Sequence, residues 1–326
     1  MSIRVERFSE PQRDLWDQFV NRSRNGTFMF CRSYMEYHSE RFSDHSLLIY
    51  DNARLIALLP ATLDGSALVS HGGLSYGGFV TDARMTTAHM LGVFDATLSF
   101  CIAEGVAGLR YKAAPHIFQR VPSDEDLYAL SLCGAQLERR SVLTVVGAHE
   151  RIPFQQRRQR SILKARAAGL TLCRADEQLA AYWSLLEAAL LERYAARPTH
   201  TLSEISYLQR HFPHNIQLYT CFERDTLLAG VLVYESATVA RAQYIAANAR
   251  GRETGALDLL FDHLMNQVFS DKPYFDFGTS HEPTTGVIQS GLIDQKEGFG
   301  GRAVIQDSYW LDLHHWQPER IRRALV

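Results

Sequence analysis

Apolar and polar positions alternate with two periods along this chain, and the switches between them repeat. In residues 46–78, "SLLIYDNARLIALLPATLDGSALVSHGGLSYGG", apolar stretches are broken by a charged turn and then by small polar turns. Residues 217–251 show the same order. Without a gap, Leu55, Ala57, Leu59 and Ala61 fall opposite Leu227, Ala229, Val231 and Val233. Each segment predicts an antiparallel meander of three strands. After the second meander, Leu257, Leu260, Phe261, Leu264 and Val268 mark one face of a helix, and "YFDFG" then reads as a strand. After the first, "RMTTAHMLGVFDATLSFCIAEG" predicts a helix stopping at Gly105, with the strand "GLRYKAAP" behind it. A helix set between two strands of one sheet is a crossover, which implies parallel pairing.

The repeat implies two similar α/β lobes of α+β character, each a mixed, mostly antiparallel sheet flanked by helices. The expected boundary lies near residue 150, giving lobes 1–150 and 151–326. At the junction, "QQRRQRSILKARAAGL" predicts an amphipathic helix closed by Gly169, followed by a short strand. A further helix is expected from an N-cap at Asp176 to about Pro198. "EPQRDLWDQFVNRS" and "SYMEYHSERF" supply helices for the first lobe.

Composition narrows the function classes. The net charge of −2 offers no general attraction for nucleic acid or anionic membranes. The five cysteines are widely spaced, which disfavours a zinc ribbon and a disulfide framework and suits a reducing, cytoplasmic setting. No apolar run reaches the length of a bilayer span. No paired-cysteine or His-Glu-x-x-His pattern points to a metal; His281 and Glu282 lack an evident third ligand.

Three stretches offer chemistry. In "NARGRETGALDLLF" a strand enters a loop bearing Arg250, Gly251, Arg252 and Gly255 before a helix. Backbone N–H groups and the positive helix end make such a junction a phosphate cradle. Near the C-terminus, "YFDFGTSHEPTTGVIQSGLIDQKEGFGG" sets Lys296 and Phe299 in a glycine-rich turn, downstream of Asp276 and His281. Asp276 alternates with Phe275 and Phe277 and suits either a proton acceptor or a structural acceptor for the next loop; His281 and Glu282 are alternative bases or solvated loop residues. In "SHGGLSYGG", His71 and Tyr76 stand among four glycines, where the backbone can approach a ligand or simply form a hairpin. His200 follows a long helix and either faces a cleft or caps the loop.

These motifs carry a resemblance. "RETGAL" at 252–257 is similar to the acetyl-coenzyme A pyrophosphate loop of GNAT acyltransferases, with Leu257 where the pattern has Gly or Ala. The whole chain resembles the Fem-type tandem-GNAT transferases, through "NGTFMFCRSYMEY", "RRQRSILKARAAGL", "LAGVLVYE" and the "DFG … KEGFGG" ending. The nearest branch is the one met in bacterial surface-polysaccharide gene clusters. The resemblance implies an N-acyltransferase that passes an acetyl or other acyl group from acyl-CoA to the amine of a small acceptor, such as a sugar nucleotide or amino acid. Direct attack would take place in the cleft between lobes. It places the donor over Gln243, Tyr244, Arg250, Gly251, Arg252, Gly255 and Ala256. Acceptor contacts fall to His71, Tyr76, His200 and Phe299, charge stabilisation to Lys296, and proton transfer to Asp276 or His281. Two alternatives stay open: an aminoacyl-tRNA donor meeting the basic helix Arg157, Arg158, Arg160, Lys164 and Arg166, and a degenerate, non-catalytic binding protein.

Overall fold

A computed structural model describes residues 3–281 and 286–324. Fifteen strands are described among these residues. In chain order, β1 to β9 are Ile3–Arg7, Ser43–Asp44, Leu47–Asp51, Arg54–Leu59, Thr62–Asp64, Ala67–Ser70, Val80–Thr81, Gly108–Lys112 and Gln136–Gly147. Then β10 to β15 are Thr171–Arg174, Ile216–Glu223, Thr226–Glu235, Val239–Ala247, Tyr274–Thr279 and Arg302–Asp312. The fold is mixed α/β, as the alternating periods imply. The chain forms two compact units, Met1–Ser141 with Ile305–Val326, and Val142–Val304. The expected partition at residue 150 therefore differs in two ways. The first crossing falls inside the long strand β9, and the chain returns to unit 1 within β15. A boundary buried in a continuous strand leaves no Pro- or Gly-rich linker to read.

In unit 1, β1, β3, β4 and β7 form a four-stranded antiparallel sheet. Strands β2, β5 and β6 pair antiparallel, β6 and β8 pair parallel, and β8 pairs antiparallel with residues 308–312 of β15. The first meander is thus divided between two ladders. Pro60 ends β4, since it has no N–H to continue the pairing. The helix Thr87–Ala103 forms the expected crossover and stops before Gly105, whose φ is +78°. Leu47, Ile49, Phe94, Leu109 and Leu311 lie in the common core. "SYMEYHSERF" contributes only the short turns Arg32–Met35 and Glu36–His38.

Unit 2 keeps its meander whole: β10, β11, β12 and β13 run antiparallel, β13 and β14 parallel, and β14 pairs with β9. The helix Gln156–Ala167 and the positive φ of Gly169 match the expected cap. Asp176 does not cap the next helix, which spans Leu179–Tyr194. It sits in a preceding 3₁₀ turn and accepts the Leu218 N–H at 2.8 Å, so the carboxylate is drawn to the sheet edge instead. Val231, Val233, Leu260, Phe261, Phe275, Phe277 and Phe299 build the core of this unit. Among the described residues, no helix is long and apolar enough to cross a membrane.

Candidate functional site

The parallel strands β13 and β14 are in register only from Val239–Tyr274 to Arg241–Asp276. Beyond that pair β13 continues against β12 alone, and the two parallel strands part. A cavity of about 400 Å³ opens at this divergence, lined by Ile245, Ala246 and Ala247 from β13 and by Phe277 from β14. Separation of two strands leaves backbone donors and acceptors on β13 for an extended ligand to use. A bulge in the β12–β13 pairing lies beside the opening, between Leu232 and Val233.

One wall is the junction singled out in the sequence, with a different shape from the expected loop. Asn248 caps a helical turn, Ala249–Thr254, and its side chain accepts the Gly251 N–H at 2.7 Å. Gly255, at φ +79°, then redirects the chain into the helix Ala256–His263. Gly251, Arg252 and Gly255 line the cavity, so the positive end of the second helix opens towards it. Arg252 donates to the Ala247 carbonyl at 3.0 Å and keeps charge at the rim. Arg250 points elsewhere and pairs with Glu223 at 2.7 Å. Ala256 is buried in an apolar cluster. Leu257 packs against the same cluster while presenting one edge to the cavity.

The floor is aromatic. Phe299 is fully buried, stacked on Phe277 with centroids 5.7 Å apart, and edge-on to Phe261 at 5.3 Å. Lys296 reaches this floor from the last turn of the helix Ser290–Glu297 rather than from the glycine turn, which begins only after it. It is 4% exposed, and its Nζ donates to the carbonyls of Gly278 at 3.3 Å and Thr279 at 2.6 Å. Burial pulls its pKa down to about 8, while the nearby Asp276 charge pushes the other way.

Asp276 is fully buried and does not line the cavity. One carboxylate oxygen accepts Arg241 Nη1 at 3.0 Å, and the other accepts the Gly278 N–H at 2.7 Å. Both oxygens are thus committed to holding the end of β14, in place of the proton-accepting role considered from sequence. Arg241 itself was not singled out; only the parallel register sets it opposite Asp276.

The remaining candidates lie off the cavity lining. Tyr244 turns to the opposite face from Ile245, shares a 2.6 Å hydrogen bond with His200 Nδ1, and meets Trp183 edge-on. Gln243 is half-buried outside the lining set. His281 forms a β-bridge with Ile288 and also stands outside that set. Glu282 lies outside the described residues. His71 and Tyr76 belong to unit 1 and are buried there. The pKa of His71 is pulled down to about 3, chiefly by burial, so the ring is neutral; Tyr76 donates to Thr27 Oγ1 at 3.2 Å.

The basic helix keeps Arg157, Arg160, Lys164 and Arg166 exposed, yet several of its side chains are already partnered. Arg157 pairs with Asp294 at 2.6 Å, Arg158 with Asp258 at 2.8 Å and Arg166 with Asp262 at 2.7 Å. Lys164 donates to the Glu253 carbonyl at 2.7 Å. Arg157 and Arg158 line the cavity together with Arg193.

Residues 155–284 match the family model described as an acetyltransferase (GNAT) domain. Among solved structures, the chain is similar to FemX, at 12% identity and a TM-score of 0.68 over 99% of both chains. It is also similar to L-PGS from Bacillus licheniformis, at 11% identity and a TM-score of 0.59, covering 98% of this chain and 97% of that one. A tandem GNAT protein of the clavulanic acid biosynthesis pathway aligns at 10% identity and a TM-score of 0.50, covering 96% and 99%. No curated protein matches the chain.

Proposed function

The chain carries a GNAT acyltransferase domain in a tandem, Fem-like fold, and from that premise we propose that it is an N-acyltransferase using acyl-CoA as donor. The observation that carries this reading is the parting of β13 and β14 over the cavity of unit 2. A pantetheine arm is a thin chain bearing amides, and it suits the freed edge of β13. The pyrophosphate suits the helix end at Gly255, with Arg252 at the rim, and the acyl group suits the aromatic floor. Donor contacts assigned from sequence to Gln243, Tyr244, Arg250 and Ala256 pass in this reading to Ile245, Ala246 and Ala247, while Gly251, Arg252 and Gly255 keep theirs.

The acceptor is an amine of a small molecule, such as a sugar nucleotide or an amino acid. Its unprotonated nitrogen attacks the thioester carbonyl carbon. As the C–N bond forms, negative charge moves to the carbonyl oxygen; the C–S bond then breaks, and the nitrogen releases its proton as the thiolate gains one. The Lys296 ammonium supplies positive charge beside that oxygen in a poorly hydrated setting, where such a charge counts most. An acyl-CoA donor implies a cytoplasmic reaction.

The aminoacyl-tRNA alternative loses support, because three of the basic helix's arginines are already paired with carboxylates. Calorimetry with acetyl-CoA and CoA tests the donor directly. Saturable binding of either, lost in Arg252→Glu, is the expected result. Absence of binding by both, with tRNA retained at low salt, would replace the donor.

A further inference from the structure

We propose that unit 2 has a second ligand site, separate from the donor cavity, in which Arg151 binds the carboxylate of a small acid with a flat apolar body. Two depressions, of about 140 and about 300 Å³, meet at Arg151 and Asn266. Neither shares a lining residue with the donor cavity. They lie where β9 ends and β14 begins, beside the wide π turn Leu264–Val268 that finishes the preceding helix. Such turns recur at functional positions because they break the helical ladder locally.

Arg151 differs from the other partly buried arginines. Arg24 pairs with Glu125, Arg158 with Asp258 and Arg241 with Asp276. Among the described residues, Arg151 has no carboxylate within ion-pair distance. Its Nη1 donates to Asn266 Oδ1 at 2.6 Å, and its Nη2 reaches Met265 Sδ at 3.6 Å. Both acceptors are neutral, and a guanidinium carries five N–H donors in a planar fork. The remaining donors therefore have room for an oxyanion, and a carboxylate fits the fork with two parallel hydrogen bonds. Burial without a full counter-charge disfavours the cation, and its pKa is shifted down accordingly, with Asp262 opposing the shift.

The surroundings are set for recognition. Asn266 donates Nδ2 to Asp262 Oδ1 at 2.7 Å, which fixes its carbonyl towards Arg151. One face of the guanidinium is held over the Phe154 ring, 4.9 Å from its centroid. Lys272 also lines the smaller depression, but Glu235 at 2.7 Å neutralises it, so Arg151 supplies the net charge. Ile152, Pro153 and Phe154 on one side, and Phe269 on the other, offer apolar walls. One cation between apolar walls favours an aromatic or branched carboxylate over a compact, strongly hydrated phosphate.

The test uses the full chain and benzoate as probe, read by calorimetry and by the ¹⁵N shift of Arg151 Nε. Saturable binding is expected. Arg151→Gln should weaken it at least about tenfold, the size of losing charge-assisted hydrogen bonds, while Arg252→Ala leaves it unchanged. Arg151→Lys, retaining charge without the fork, should fall between wild type and Arg151→Gln, and thermal melts check that each variant is folded. Inorganic phosphate should bind more weakly than benzoate. The proposal is overturned by no saturable benzoate binding, by equal affinity in folded Arg151→Gln, or by a preference for phosphate. Failure of the donor reading would not affect this result, because no residue is shared.

Discussion

Arg241 and Asp276 face each other at the last registered pair of two parallel strands, with Nη1 and Oδ2 3.0 Å apart and the carboxylate wholly excluded from water. The pair sits at the apex of the divergence that makes the cavity. It ties the strands together immediately before they separate, and the second Asp276 oxygen holds the Gly278 N–H. Gly278, at φ +70°, then turns its carbonyl and that of Thr279 towards Lys296. Arg241→Met leaves a buried carboxylate without its counter-ion. It should lower unfolding free energy by about 3–5 kcal/mol, the usual effect of breaking such a pair. Urea denaturation measures this; a loss below about 1 kcal/mol would show that the pair does not hold the apex.

Lys296 links stability and activity to pH. Its pKa is about 8 in the folded protein against an ordinary 10.5. Below pH 8 both folded and unfolded chains hold the proton, and the folded one bears the burial cost in full. Between about 8 and 10.5 the unfolded chain still binds a proton that the folded protein has released. Stability therefore rises with pH across that window, by up to about 3 kcal/mol. Denaturation at several pH values should show the rise in wild type and its absence in Lys296→Met.

Catalysis should move in the opposite sense. If the ammonium stabilises the developing oxyanion, kcat/KM falls as pH passes about 8, and Lys296→Arg shifts that fall upward. Lys296→Met should lower kcat by roughly 10²–10³-fold, as for loss of one oxyanion contact. A rate that instead increases through pH 8 by titration of Lys296 would make it a proton acceptor.

The cysteines give a check on the fold that needs no substrate. Cys173 is exposed, whereas Cys31, Cys101, Cys133 and Cys221 are buried, with burial pushing each thiol up to about 12. A thiol reagent at about pH 8 should modify one equivalent quickly and the rest only on unfolding. Cys173→Ser should abolish the fast phase; a fast phase of two or more equivalents would contradict the burial of the other four.

Much of the architecture was legible because helix and strand periods are local. Leu257, Leu260, Phe261 and Leu264 announced their helix, and the two meander–helix–strand runs announced parallel crossovers. Lys296, Phe299, Gly251, Arg252 and Gly255 were also singled out, and all five line one cavity. What escaped depends on register between distant segments. Arg241 meets Asp276 across 35 residues, and Arg158 meets Asp258 across 100, with no local signal of either pairing. The roles considered for Asp276 and Arg250 shifted for the same reason: a charged side chain is legible in sequence, its partner is not. Asn248 did carry a local signal, since an asparagine before "ARG" is an ordinary helix start, and it would have replaced the expected loop with a turn.

That replacement changes the choice of variant for probing the donor cavity. From sequence, Gly255→Glu looks like a clean block of a phosphate loop. In the fold, Gly255 holds φ +79°, and a Cβ there would lie 2.4 Å from Ser161 Oγ and 2.9 Å from the Ser161 carbonyl oxygen. The substitution would displace the helix Gln156–Ala167 as well as fill the cavity, so lost binding would carry no information about phosphate recognition. Arg252 is the better probe. Its contacts are one backbone carbonyl and a 3.7 Å approach to Glu192 near the surface, and interactions of that kind contribute less than about 1 kcal/mol. Arg252→Ala should keep the wild-type melt and circular dichroism while weakening acetyl-CoA by about tenfold, the effect of removing one charged contact to an anion. Dephospho-CoA and CoA should lose affinity equally if Arg252 meets the pyrophosphate. A loss confined to CoA would move the arginine to the 3′-phosphate, and unchanged affinity for all three ligands would remove Arg252 from the donor site.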